Sequence, residues 1–170
     1  MIQLNQPTYD VGVKKMLHGQ APNFTLPASN GELVTLSQFR GKNVILYFYP
    51  KDMTPGCTTQ ACDFRDAHSS FEEANTVILG ISRDPVVRHT KFIEKYDLPF
   101  LLLSDEEGKV CDLYGVYKEK NMFGKKAMGI ERSTFVINEE GMIVKEERKV
   151  KVKDHVGQAL EFVQQNLESN

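Results

Sequence analysis

The run from Val44 to Cys62 leaves this chain little choice of architecture. It begins with Val44-Ile-Leu-Tyr-Phe-Tyr49, an unbroken series of apolar, β-branched and aromatic residues. That is the pattern of a strand buried on both faces. Pro50 ends the strand because it brings no N–H to the ladder. Thr54 and Pro55 then read as a helix start, with the threonine hydroxyl as N-cap and the proline at the first helical position. Cys57 therefore falls in the first helical turn, at the C-terminal edge of a central strand. In an open α/β sheet that edge is where ligands bind.

This placement suits the chemistry of sulfur. First-turn N–H groups have no intrahelical partners, and the helix dipole adds roughly half a positive charge there. A thiolate is stabilised by both, and thiols with an ordinary pKa of ~8.5 fall to about 3.5–7.5 at such positions. The amides of Gly56 and Cys57 are also donors open to an oxygen anion. A reactive cysteine is the leading reading. The alternative is a cysteine packed as a small apolar residue. Thr54, Pro55, Gly56, Thr58 and Thr59 surround it with small or polar groups, which favours an accessible pocket.

Composition narrows the remaining classes. A chain of 170 residues fits one domain with a sizeable core. A net charge of −2 leaves no nucleic-acid footprint. No apolar run approaches the ~20 residues that span a bilayer, so no membrane role is expected. The first residues show neither a basic n-region nor an apolar h-region, so no signal peptide is evident. Three cysteines are too few for a disulfide framework, and the pair Cys57 and Cys62 reads as redox chemistry in a reducing compartment. The expected location is the cytoplasm. His18, His68, His89 and His155 show no metal-binding spacing with the cysteines, and no glycine-rich phosphate loop or dinucleotide fingerprint is present. Neither a metal nor a cofactor is expected.

Taken in order, residues 1–20 show no strong periodicity, although Val11, Val13 and Leu17 suit a short strand or docked arm. They are read as an N-terminal extension, with 21–170 as the single domain. Phe24-Thr-Leu-Pro27 and Leu33-Val-Thr-Leu36 flank a turn-rich connection of the hairpin kind. Leu36 to Gly41 looks like one helical turn closed by glycine. The helix from Pro55 carries Ala61, Phe64, Ala67, His68 and Phe71 at helical spacing. Thr76 to Ser82 is the next buried strand. A helix follows from Asp84-Pro85 through Val86, Val87, Phe92, Ile93 and Tyr96. Leu98 to Leu103 reads as a strand and Asp105 to Tyr114 as a short helix holding Cys111 inward. Lys118 to Met128 reads as a mobile loop. Arg132 to Ile137 and Met142 to Glu146 are strands joined by a clear hairpin signal at Asn138-Glu-Glu-Gly141. Asp154 is the expected N-cap of a last helix with Val156, Ala159, Leu160, Val163 and Leu167 on one stripe. The βαβ alternation followed by a hairpin and a helix gives an α/β fold, a mixed central β-sheet with helices on both faces.

Pro50-Lys-Asp-Met-Thr-Pro-Gly-Cys57 resembles the proline, threonine and peroxidatic-cysteine signature of peroxiredoxins. The continuation Thr58-Thr-Gln-Ala-Cys62 is similar to the bacterioferritin comigratory protein (PrxQ) subfamily. The resemblance runs from about Ala21 to Leu167, and a matching Arg132 follows the motif. It implies a thioredoxin-like fold and a thiol-dependent peroxidase acting on hydrogen peroxide and small alkyl hydroperoxides. Cys57 would form a sulfenic acid, the first rung of thiol oxidation. Cys62 would resolve it as an intramolecular disulfide, and thioredoxin or a similar dithiol reductant would recycle the protein. Thr54 would hydrogen-bond the peroxide, and Arg132 would hold the thiolate and orient the peroxide. Pro50 would shield a pocket that also contains Gly56 and Gln60, with Gln60 orienting Arg132. A monomer or weak dimer is expected.

Each assignment has a plainer counterpart. Thr54 serves equally as a helix cap, Arg132 beside Glu131 as a surface ion pair, Gln60 as a solvated side chain and Cys62 as a structural thiol. On an intact helix, residues 57 and 62 lie about 8–9 Å apart at Cα, beyond the roughly 7 Å limit for a disulfide, so that bond requires local unwinding. Thr58 and Thr59 lower helix propensity there. At the level of function, a protein disulfide oxidoreductase and a redox sensor use the same cysteine pair. The first is disfavoured because such enzymes usually space their cysteines as C-x-x-C.

Overall fold

The structure, a computed structural model, describes residues 19–167. Most of the expected extension, with Val11, Val13 and Leu17, lies outside the described residues. Gly19 and Gln20 already belong to the domain, as strand β1 (Gly19–Gln20) paired with the C-terminal hairpin.

Strand β4 (Asn43–Phe48) is the centre of the molecule, and every one of its residues is buried. Val44, Leu46 and Phe48 face one core, while Ile45 and Tyr47 face the other. This is the two-sided burial that its unbroken apolar run requires. β5 (Thr76–Ser82) and β6 (Leu101–Ser104) lie parallel beyond it on one side. On the other side lie β9 (Ser133–Ile137), antiparallel to β4, and then β10 (Met142–Glu147), antiparallel to β9. The order of the six-stranded sheet is β1-β10-β9-β4-β5-β6.

Crossovers β4-α1-β5 and β5-α2-β6 advance in the same direction across the sheet. The right-handed rule therefore places α1 (Pro55–Glu73) and α2 (Val86–Tyr96) on one face. α4 (His155–Asn166) packs beside α1 and shares its core. The opposite face is covered more thinly, by α3 (Lys109–Leu113), the small hairpin β2 (Thr25–Pro27) and β3 (Leu33–Thr35), and the 3-10 turn Leu36–Phe39.

Two expectations are corrected, a loop and the start of a strand. Lys118 to Met128 is not a loop. It forms most of a hairpin of β7 (Tyr117–Met122) and β8 (Lys125–Ile130), turned by Phe123 and Gly124, both at positive φ. Two such residues build the primed turn that matches strand twist. Asp154 occupies the N-cap of α4 as expected, at φ of 63°, although its side chain makes no capping bond. α2 runs through the expected residues, burying His89 and Phe92 and leaving Val87 exposed. The strand expected from Leu98 starts only at Leu101, because Pro99 lacks a ladder donor.

Candidate active site

Beyond β4 the ladder continues for one bond, from the Tyr49 amide to the Ile81 carbonyl at 3.1 Å, and stops at Pro50. The chain then turns sharply. Met53 has φ of 64°, a left-handed conformation that a non-glycine residue keeps only where its surroundings hold it. Asp52 supplies that hold. Its buried carboxylate accepts from the Tyr49 hydroxyl at 2.5 Å and pairs with His89 Nδ1 at 2.6 Å. Its amide donates to Asp84 Oδ2 at 2.8 Å. His89 Nε2 faces the Leu103 carbonyl oxygen at 2.9 Å, so that nitrogen carries a proton. Arg88 pairs with Asp84 at 3.3 Å and reaches the Asp52 carbonyl at 3.2 Å. The loop before the helix is thus pinned to β5, α2 and β6. Asp52, Asp84 and His89 place their ligand atoms within 4.8 Å of one another, a spacing that suits a cation. Tyr49, Ser82, Arg88 and the Asp52 amide already engage those atoms, so the cluster functions as an ion-pair network.

Thr54 takes the N-cap position with extended backbone angles, and Pro55 follows it, as the sequence suggests. Its hydroxyl does not cap, however. It donates to the Lys51 carbonyl at 2.8 Å, which the turn at Met53 brings within reach. The first helical bond runs from the Thr58 amide to the Thr54 carbonyl at 2.8 Å, leaving the Gly56 and Cys57 amides without intrahelical acceptors.

Cys57 is 2% exposed, contrary to the open pocket expected from its small neighbours. Helical spacing explains the difference. Pro55 and Thr59 point outward, while Cys57, Ala61 and Phe64 share the buried face. Arg132 stands just before β9. The pairing of Phe48 with Ser133 carries it to the exit of β4. Its Nη2 lies 3.4 Å from Cys57 Sγ, and its Nη1 donates to Gln60 Oε1 at 2.6 Å. Among the described residues no ion pair joins Arg132 to Glu131 or any other carboxylate. Gln60 is fully buried, not solvated. Gly56 leaves room for the approach, since a Cβ there would sit 3.2 Å from Arg132 Nη2 and push the guanidinium back by a few tenths of an ångström.

The structure therefore brings Cys57, Arg132, Gln60 and Gly56 together, with Thr54 one turn before the sulfur and Pro50 half-buried at the strand exit. Cys62 lies on the same unbroken helix, half-buried, and both thiols are free. Cys111 is buried in the opposite core, where burial pushes its thiol far above the ordinary range. The sequence reading missed Asp52, Asp84, Arg88 and His89 as a group. Asp52 sits inside the conspicuous motif, but His89 is 37 residues away and no spacing rule links them.

With this geometry in place, likeness to known proteins is informative. The sequence profile of the AhpC/TSA family matches residues 17–146. Peroxiredoxin Bcp of Bacillus subtilis is 56% identical over 154 residues, covering 91% of this chain and 94% of that protein. The chain is a peroxiredoxin. A putative peroxiredoxin bcp of Coxiella burnetii is 55% identical over 141 residues, covering 83% and 93% of the two chains. Xanthomonas campestris peroxiredoxin Q superposes with a TM-score of 0.81 at 43% identity, over 84% and 90% of the chains. A cysteine-to-serine variant of Xylella fastidiosa PrxQ gives a TM-score of 0.84 at 37% identity, over 89% and 97%. This peroxiredoxin thus belongs to the Bcp/PrxQ group, has the thioredoxin-like fold of its neighbours, and is a thiol-dependent peroxidase. Among the described residues no helix is long and apolar enough to cross a membrane.

Proposed function

We propose that Cys57 is the peroxidatic cysteine and Cys62 the resolving one. The Cys57 thiolate attacks one peroxide oxygen, the O–O bond breaks, and the second oxygen leaves as water or an alcohol after taking a proton. The sulfur keeps the first oxygen as sulfenic acid. The contact that carries this reading is the Arg132 guanidinium against the sulfur, held by Gln60 from its other side. A fixed fork stabilises the thiolate and then the negative charge developing on the leaving oxygen. The free amides of Gly56 and Cys57 face the same end. Thr54 exchanges its bond to Lys51 for one to the peroxide, and Pro50 screens the sulfur from water.

The Cys62 thiol then attacks the sulfenic sulfur, forming the disulfide and releasing water. Because both residues lie on α1, its first turns unwind for this step. Thr59 favours that, since its hydroxyl bonds back to the Pro55 carbonyl at 3.1 Å and competes with the helix. A dithiol reductant of the thioredoxin type restores both thiols. We place the protein in the reducing cytoplasm, as a monomer or weak dimer. The substrates proposed are hydrogen peroxide and small alkyl hydroperoxides; a structural study of the Xanthomonas campestris relative concerns its alkyl peroxide reduction activity.

A coupled assay with thioredoxin, its reductase and NADPH tests this reading. Continuous peroxide-dependent NADPH oxidation is expected, abolished in Cys57→Ser. A redox sensor would consume about one equivalent of peroxide and stop, and that outcome would overturn the reading.

A further inference from the structure

Tyr47 pairs with Gly80 across the parallel ladder, and its ring lies over that residue. A Cβ on Gly80 would stand 2.9 Å from Cζ, the carbon bearing the hydroxyl. Phe64 stacks on the ring at 4.7 Å between centroids, and Phe100 meets it edge-on at 6.2 Å. Phe64 lies on α1, on the face it shares with Cys57 and Ala61, so the reactive helix roofs this tyrosine. The side chain is 1% exposed, and its hydroxyl has no hydrogen-bond partner among the described residues. Burial first, and the charge of Cys57 next, hold the phenol in its neutral form; Cys62 adds to the effect.

An unpartnered buried hydroxyl penalises whichever conformation buries it. Part of the cover here is helical α1, which contributes Phe64; Gly80, Tyr49 and Phe100 form the fixed remainder. When the first turns unwind, the roof lifts and the O–H gains water or a freed carbonyl as acceptor. Upstream, the Asp52–His89 pair keeps the loop fixed, so the movement falls on the segment that covers Tyr47. We propose that the Tyr47 hydroxyl biases α1 toward unwinding and so sets how the Cys57 sulfenic acid divides between two fates. In one, Cys62 displaces water and the disulfide forms. In the other, a second hydroperoxide gives up an oxygen, leaving sulfinic acid on Cys57 and releasing water or an alcohol. This inference rests on the roles proposed above for Cys57 and Cys62.

Tyr47→Phe removes the hydroxyl and keeps the ring contacts. Rapid mixing with hydrogen peroxide, followed by acid quench and mass mapping, resolves both steps. The first oxidation should keep its rate, while disulfide formation slows about tenfold. Sulfinic acid should accumulate at lower peroxide, and the melting temperature of the reduced protein should hold or rise. Disulfide formation at the parent rate would overturn the inference, as would a lower melting temperature, which would mean that the hydroxyl bonds within the helical state. If the parent itself formed no Cys57–Cys62 disulfide, the underlying reading would fail and this inference with it.

Discussion

At position 56 the chain gives up helix propensity for access to the sulfur. Glycine in a first turn is a poor helix former, yet any side chain there would crowd the guanidinium that touches Cys57. Gly56→Ala should therefore separate stability from activity. The reduced protein should melt at the same or a higher temperature, while the rate of Cys57 oxidation falls about tenfold or more as Arg132 is displaced. Stopped-flow measurement beside a thermal scan checks both, and a fall in stability with unchanged rate would refute the role given to glycine. The sequence made Cys57 legible because strand, proline, cap and cysteine occupy consecutive positions. Gln60 is named as the residue that orients Arg132, but its burial was not legible, since nothing local distinguishes a buried glutamine from a solvated one. Only the approach of β9 from far along the chain decides it.

At the scale of elements, the loop before α1 is held by buried hydrogen bonds, and in the proposed mechanism the helix after it is the part that yields. The held part depends on the buried Asp52–His89 hydrogen bond. His89→Leu leaves the Asp52 carboxylate without its partner, and a loss of about 3–5 kcal/mol is expected in urea unfolding. Adding Asp52→Asn should return part of it. The docking of α4 carries a pH signature. His155 Nε2 lies 2.9 Å from the Thr134 hydroxyl and Nδ1 3.1 Å from Glu147. Burial lowers its proton affinity, and Glu147 only partly opposes this. A histidine held below its unfolded pKa contributes stability above that value, ~6.5, and loses it as pH falls toward the lower folded one. The stability difference between parent and His155→Gln should therefore shrink between about pH 7.5 and pH 5, measured by urea unfolding. A constant difference would refute it. Amphipathic spacing made α1 and α4 readable. The β7–β8 hairpin was not, because lysine, methionine and glycine hide the alternation and its turn uses Phe-Gly, not Asn-Gly.

For the whole molecule, the sheet order decides the chemistry. β4 carries the cysteine helix, and β9, arriving antiparallel on its free edge, carries Arg132 to the same end. The βαβ pattern foretold the parallel half and the class of fold. Which edge of β4 receives the C-terminal hairpin is a long-range choice that local pattern does not encode. The same architecture leaves Cys57 and Cys62 on one continuous helix and Cys111 buried on the opposite face of the sheet. Peroxide chemistry that uses the close pair must then bend the helix and leave the third thiol untouched. Mass mapping after one equivalent of hydrogen peroxide tests this most directly. The expected product is a monomer with one internal Cys57–Cys62 disulfide, a free Cys111 and new protease cleavage between Thr58 and Phe64. A disulfide from Cys57 to Cys111, or one found only between chains, would contradict it.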